Sequence, residues 1–123
     1  MSRVILEFKV GEESQASRFI ALHCIGLLVS FRDNYIPFGD VEGFFLPRMV
    51  RNLQEQGLDS RLVELVCLGC ELEDVNSLVP DKLKRNVDLI LEGFLEYLLK
   101  SSSFDSADVN ITSREKGTDL FSD

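Results

Sequence analysis

Tryptophan is missing from this sequence, and histidine occurs once, proline and cysteine three times each, among 123 residues. Each scarcity removes a class of chemistry. With His23 as the single imidazole, a general base would need a cleft and a partner nucleophile or carboxylate, and no such constellation is visible. Cys24, Cys67 and Cys70 are odd in number and sit on apolar segments. They read as reduced, buried thiols in a reducing compartment rather than as a disulfide framework. Cys67-Leu-Gly-Cys70 is half of a zinc pattern, but the second half is absent. The pair also falls near a helix C-terminus, where the dipole disfavours thiolate. No glycine-rich phosphate loop, serine nucleophile elbow or metalloprotease motif appears. An enzyme is therefore not expected, nor a cofactor or a bound metal.

Basic residues are scarce too. Thirteen Lys and Arg stand against twenty-one Asp and Glu, a formal net charge of −8. The densest basic cluster, Lys82, Lys84 and Arg85, is small. Such a surface repels nucleic-acid phosphates and anionic membranes and favours basic proteins, whose encounter rate it raises. Acidity that merely keeps a protein soluble is the plainer explanation. No signal peptide is read, because Glu7, Glu12 and Glu13 stand where a long apolar run would be. The main apolar stretch is read as too short, and too interrupted by His23 and Cys24, to span a bilayer. The expected location is cytoplasmic.

That stretch, Phe19-Ile-Ala-Leu-His-Cys-Ile-Gly-Leu-Leu-Val-Ser-Phe31, is apolar on every side of a helical wheel. The pattern predicts a central helix over about 14–32, wrapped by the others, with His23 hydrogen-bonded in the core. Ser14 is the expected N-cap, and Asp33-Asn34 with Ile36-Pro37 the expected stop. Two short pieces follow, Asp40–Phe45 and Pro47–Gln56, ended by Gly57. A further helix is expected from Arg61 to about Cys70, with Asp59 or Ser60 as its cap. Residues 71–80 read as a bent helical turn, anchored by Leu72, Val75, Leu78 and Val79, with its carboxylates in water. The last helix, Lys82–Lys100, shows Leu83, Val87, Ile90, Leu91, Phe94, Leu95 and Leu98 on one face and Asp88, Glu92 and Glu96 on the other.

The fold class that follows is mainly α: a helical bundle around the central apolar helix, with a short N-terminal β-strand. Alternation over Arg3–Val10 predicts the strand, whose partner would be 108–112 or the same strand of a second chain. Residues 1–100 form one α-rich domain, and 101–123 a polar acidic tail, partly ordered at best.

Cys67-Leu-Gly-Cys-Glu-Leu-Glu-Asp-Val-Asn-Ser-Leu-Val-Pro-Asp-Lys-Leu83 resembles a signature of small uncharacterised bacterial proteins. In that pattern Leu-Gly precedes Glu-Leu-Glu-Asp-Val, then Ser-Leu, Pro and the final helix. The N-terminal strand, the apolar helix and the Phe44-Phe45-Leu-Pro47 break fit the same family, so the resemblance spans most of residues 3–100. His often occupies the position of Cys67, which argues against a shared metal or catalytic role there. The family carries no established activity to transfer.

Small size, acidity and the lack of a catalytic constellation favour an inhibitor of the bacterial immunity or antitoxin kind, neutralising a basic toxin domain such as a nuclease. The expected contacts are Glu71, Glu73 and Asp74 on the turn, with Asp33 and Asp40 in loops. Carboxylates on a short rigid turn suit charge-assisted bonds to guanidinium groups. A solvated face is the bland reading of the same run. Two other functions stay open: a homodimeric regulatory or scaffold module, and a small metal- or thiol-dependent enzyme.

Overall fold

The computed structural model describes residues 11–103, and everything described is helix or short connection. The expected strand at Arg3–Val10 and its proposed partner at 108–112 lie outside the described residues. In chain order the helices are α1 (Glu13–Arg32), α2 (Phe38–Phe44), α3 (Pro47–Glu55), α4 (Ser60–Cys70) and α5 (Leu72–Leu78). A 3₁₀ turn at Pro80–Lys82 then leads into α6 (Leu83–Ser103). The fold is mainly α, as its periodicity implies.

Local chemistry sets the boundaries. The end of α1 is a Schellman motif. Asn34 takes φ 68°, its N–H donates to the carbonyl of Phe31, and the Tyr35 N–H donates to Ser30 at 2.7 Å. Asparagine tolerates this left-handed geometry better than most residues, which is why the helix stops there. Gly57, at φ 77°, ends α3 in the same way, with N–H groups 57 and 58 returned to Gln54 and Leu53. Pro47 opens α3, where its missing N–H costs nothing.

The starts are less regular. Glu12, not Ser14, is the N-cap of α1, and no side chain caps it. Likewise α2 begins at Phe38, after Pro37, so Asp40 lies in its first turn and not in a loop. At the other end α6 continues through Ser103, past the expected stop at Lys100.

Helices α1 and α6 lie antiparallel and share the most extensive contact among the described helices. At one end Lys84 donates to the Arg32 carbonyl at 3.0 Å and to Asn34 Oδ1 at 2.8 Å, while its ammonium sits over the Phe31 ring. A cation there also meets the negative end of the α1 dipole. At the opposite end, the first turns of α1 meet Tyr97 and Ser101. Helix α4 packs on α6, and α3 on α4. One continuous core results, containing Ala21, Cys24 and Leu28 of α1, Leu62, Leu65 and Val66 of α4, and Val87, Leu91 and Phe94 of α6. Each buried leucine contributes about 2 kcal/mol.

The expectation that α1 is wrapped on all sides is not met. Its buried residues, Ser17, Ala21, Cys24 and Leu28, follow one stripe, while Leu22 is 49% exposed and His23 and Gly26 face solvent. Composition alone does not determine coverage, since much of any folded surface is apolar. His23 is accordingly not a hydrogen-bonded core residue. Its ring packs edge-on to Phe44, with centroids 4.7 Å apart. The membrane argument also changes: α1, at 20 residues, is long and apolar enough to cross a bilayer by length and composition. A core helix of a soluble protein passes the same test, and this one gives a face to the core. Of the four expected anchors after α4, Leu72 is buried and Val75 half-buried, but Leu78 and Val79 are exposed, as is Leu95 on α6.

Candidate functional site

The junction of α4 and α5 is tight. Glu71 alone separates them, and it serves as C-cap of one and N-cap of the other. Backbone N–H of Glu71 and Val75 bond to the carbonyls of Leu68 and Glu71, so the acidic run is held as helix. Leu72 anchors it in the core, and this turns Glu71, Glu73 and Asp74 outward, all exposed. Their side chains border a groove of about 650 Å³ between this junction and α2.

The floor of the groove is apolar. Phe38, Val41, Phe45 and Leu46 contribute to it, and the Phe45 ring lies directly on Gly69. A Cβ at position 69 would clash with carbons of that ring. Phe45 in turn packs against Phe44 at 5.3 Å and Phe94 at 6.3 Å, tying the floor to the core. Glu42 of α2, half-buried, adds a fourth carboxylate from the opposite wall. Neither described ion pair, Arg32–Asp33 or Arg61–Glu64, involves any of the four.

The five expected contact residues therefore divide. Glu71, Glu73 and Asp74 are brought together. Asp40 lies on a neighbouring depression between α1 and α2, beside His23 and Gly26. Asp33 stands apart at the end of α1, bonded to Arg32 at 3.0 Å. That guanidinium holds its carboxyl below the usual range, with a further contribution from Lys84. Glu42 was absent from the expected set, because it becomes the wall of a groove only where α2 packs against the end of α4, which no local pattern announces.

Cys67 and Cys70 also line the groove, and both are free thiols. Contrary to expectation, Cys67 is exposed and Cys70 only half-buried; of the three cysteines, Cys24 alone is fully buried. Burial, then neighbouring Cys67 and Glu71, push the Cys70 thiol up, which keeps it protonated at neutral pH. Burial does the same to Cys24. Among the described residues no group of three or more His, Cys, Asp and Glu is placed to hold a metal ion.

A family model described as "Protein of unknown function (DUF3969)" matches residues 11–112. The chain belongs to that family. No curated protein and no solved structure matches it. Membership agrees with the resemblance to an uncharacterised family and assigns no activity.

A second polar cluster of this DUF3969 chain joins residues that no motif in its sequence connects. Ser17 is 1% exposed, a serine in the core face of α1. Its hydroxyl donates to Glu13 Oε2 at 2.7 Å and accepts the Asp59 N–H at 3.1 Å. Tyr97 of α6 joins them. Burial and a hydrogen bond to the Asp59 carboxylate push its phenol up to about 12, so it remains a donor at any physiological pH. The Ser17–Asp59 bond spans 42 positions, and no local pattern could have announced it.

Proposed function

We propose that this chain is a protein-binding module of the immunity or antitoxin kind, whose acidic groove receives basic side chains of a toxin domain. One observation carries the reading: four carboxylates, none in a described ion pair, rim an apolar floor at the α2/α5 groove. An apolar centre with a charged rim is the usual plan of a protein interface. Carboxylates held on helix can meet an incoming guanidinium in two parallel bonds, with little ordering cost. The net charge of −8 adds long-range attraction for a basic partner.

The test is association kinetics with the captured partner. A Glu73→Lys, Asp74→Lys double variant is expected to slow association at least tenfold in low salt and to flatten the salt dependence. Both positions are exposed, so folding is unaffected. Unchanged kinetics would remove the acidic turn from the interface.

A further inference from the structure

Cys67 and Cys70 occupy the last turn of α4, and both open onto the groove beside α2. Both are free thiols, the first exposed and the second half-buried, whereas Cys24 is sealed in the core. Cys67 also borders a depression between α3 and α4, so it is reached from two sides. A small buried hydrophobe is a sufficient account of Cys24. It is no account of Cys67.

Spacing decides what the pair can do. Residues three apart on an α-helix are neighbours on its surface, with Cβ atoms about 5–6 Å apart. This turn is held in place, since Gly69 between the two supports the Phe45 ring and Leu72 just beyond them is buried. A disulfide needs about 3.5–4.5 Å between Cβ atoms, so closing one would deform the turn. An ion seated between the sulfurs spans the wider gap and leaves the helix intact. Zinc takes a tetrahedral set, and among the described residues no third His, Cys, Asp or Glu is placed to extend the pair toward one. Calcium and magnesium require oxygen ligands. Monovalent copper is the soft ion that thiolates select, and two sulfurs in line satisfy it.

We propose that Cys67 and Cys70 form a two-coordinate site for monovalent copper on the wall of the α2/α5 groove. Each thiol releases its proton to solvent as its sulfur bonds the ion. One Cu(I) is bound, two protons leave, and no oxidation state changes. Cys67, the exposed thiol, takes the ion first, and Cys70 closes the site from the floor side. The rim carboxylates are hard oxygen donors and do not compete for so soft an ion. Copper uptake needs no protein partner, so this site and the protein-binding reading stand or fall separately.

The probe is the Cu(I) complex of bathocuproine disulfonate, titrated anaerobically with the reduced full chain. Loss of its colour measures the copper transferred. One copper per chain is expected, with X-ray absorption showing two sulfur neighbours and sedimentation showing no change in mass. Cys67→Ser, at an exposed position that folds normally, is expected to lower copper affinity at least a hundredfold. Cys70→Ser should do the same, while Cys24→Ala keeps one copper at the affinity of the unaltered chain. The proposal is overturned if no copper is transferred, or if Cys67→Ser takes it up undiminished. A copper that bridges two chains, or one with a third sulfur neighbour, overturns it as well.

Discussion

Gly69 and Gly26 place opposite demands on the same amino acid. At position 69 the Phe45 ring occupies the space a side chain would need, so Gly69→Ala forces the groove floor to shift. Overpacking of this kind costs about 1–3 kcal/mol, and urea denaturation should show the midpoint falling accordingly. At position 26 nothing lies within 4 Å of a new Cβ, and the residue is in mid-helix. Gly26→Ala is therefore expected to stabilise by about 0.5–1 kcal/mol, through lower entropy of the unfolded chain. Ser17→Ala removes the acceptor of the part-buried Asp59 N–H. An orphaned donor there costs about 1–3 kcal/mol. Tyr97 adds a pH dependence whose sign follows from linkage. Its phenol titrates near 10 in the unfolded chain and at about 12 in the folded one. The folded state thus holds the proton more tightly, so its contribution is complete below pH 10 and is lost as pH rises through 12. Chemical denaturation between pH 9 and 11.5 should show a decline that is shallower in Tyr97→Phe.

At the scale of elements, the helices were legible because their signals are local. Asn34, Pro47 and Gly57 stop or start helices through their own backbone preferences, and the stripe Leu83, Val87, Leu91 and Phe94 repeats at helical spacing. What stayed hidden depends on distant neighbours. A helical wheel of α1 cannot say which side α6 covers, so the exposure of Leu22 and His23 was unreadable. The same holds for Ser17, which looks like a misplaced polar residue until Asp59 arrives from another helix. Half of the candidate groove was visible as Glu71, Glu73 and Asp74 in one run. The other half, Glu42 and the Phe45–Gly69 contact, exists because α2 folds back onto the end of α4.

For the whole molecule, charge is the feature that reaches beyond single contacts. An excess of eight negative charges produces a field that draws basic proteins in and raises their association rate, and salt screens it over about 10 Å at 0.1 M. Fold membership adds nothing on this point, since the DUF3969 match fixes kinship and not activity. The claim that matters most is that the α2/α5 groove receives a basic partner. Its most direct test is capture by the tagged full chain from its own cells, run beside the Glu73→Lys, Asp74→Lys variant at low and high salt. The account predicts a basic protein that wild type retains in low salt, that salt releases and that the variant fails to hold. If the variant captures the same proteins with the same salt dependence, the groove is not the interface and the account is wrong.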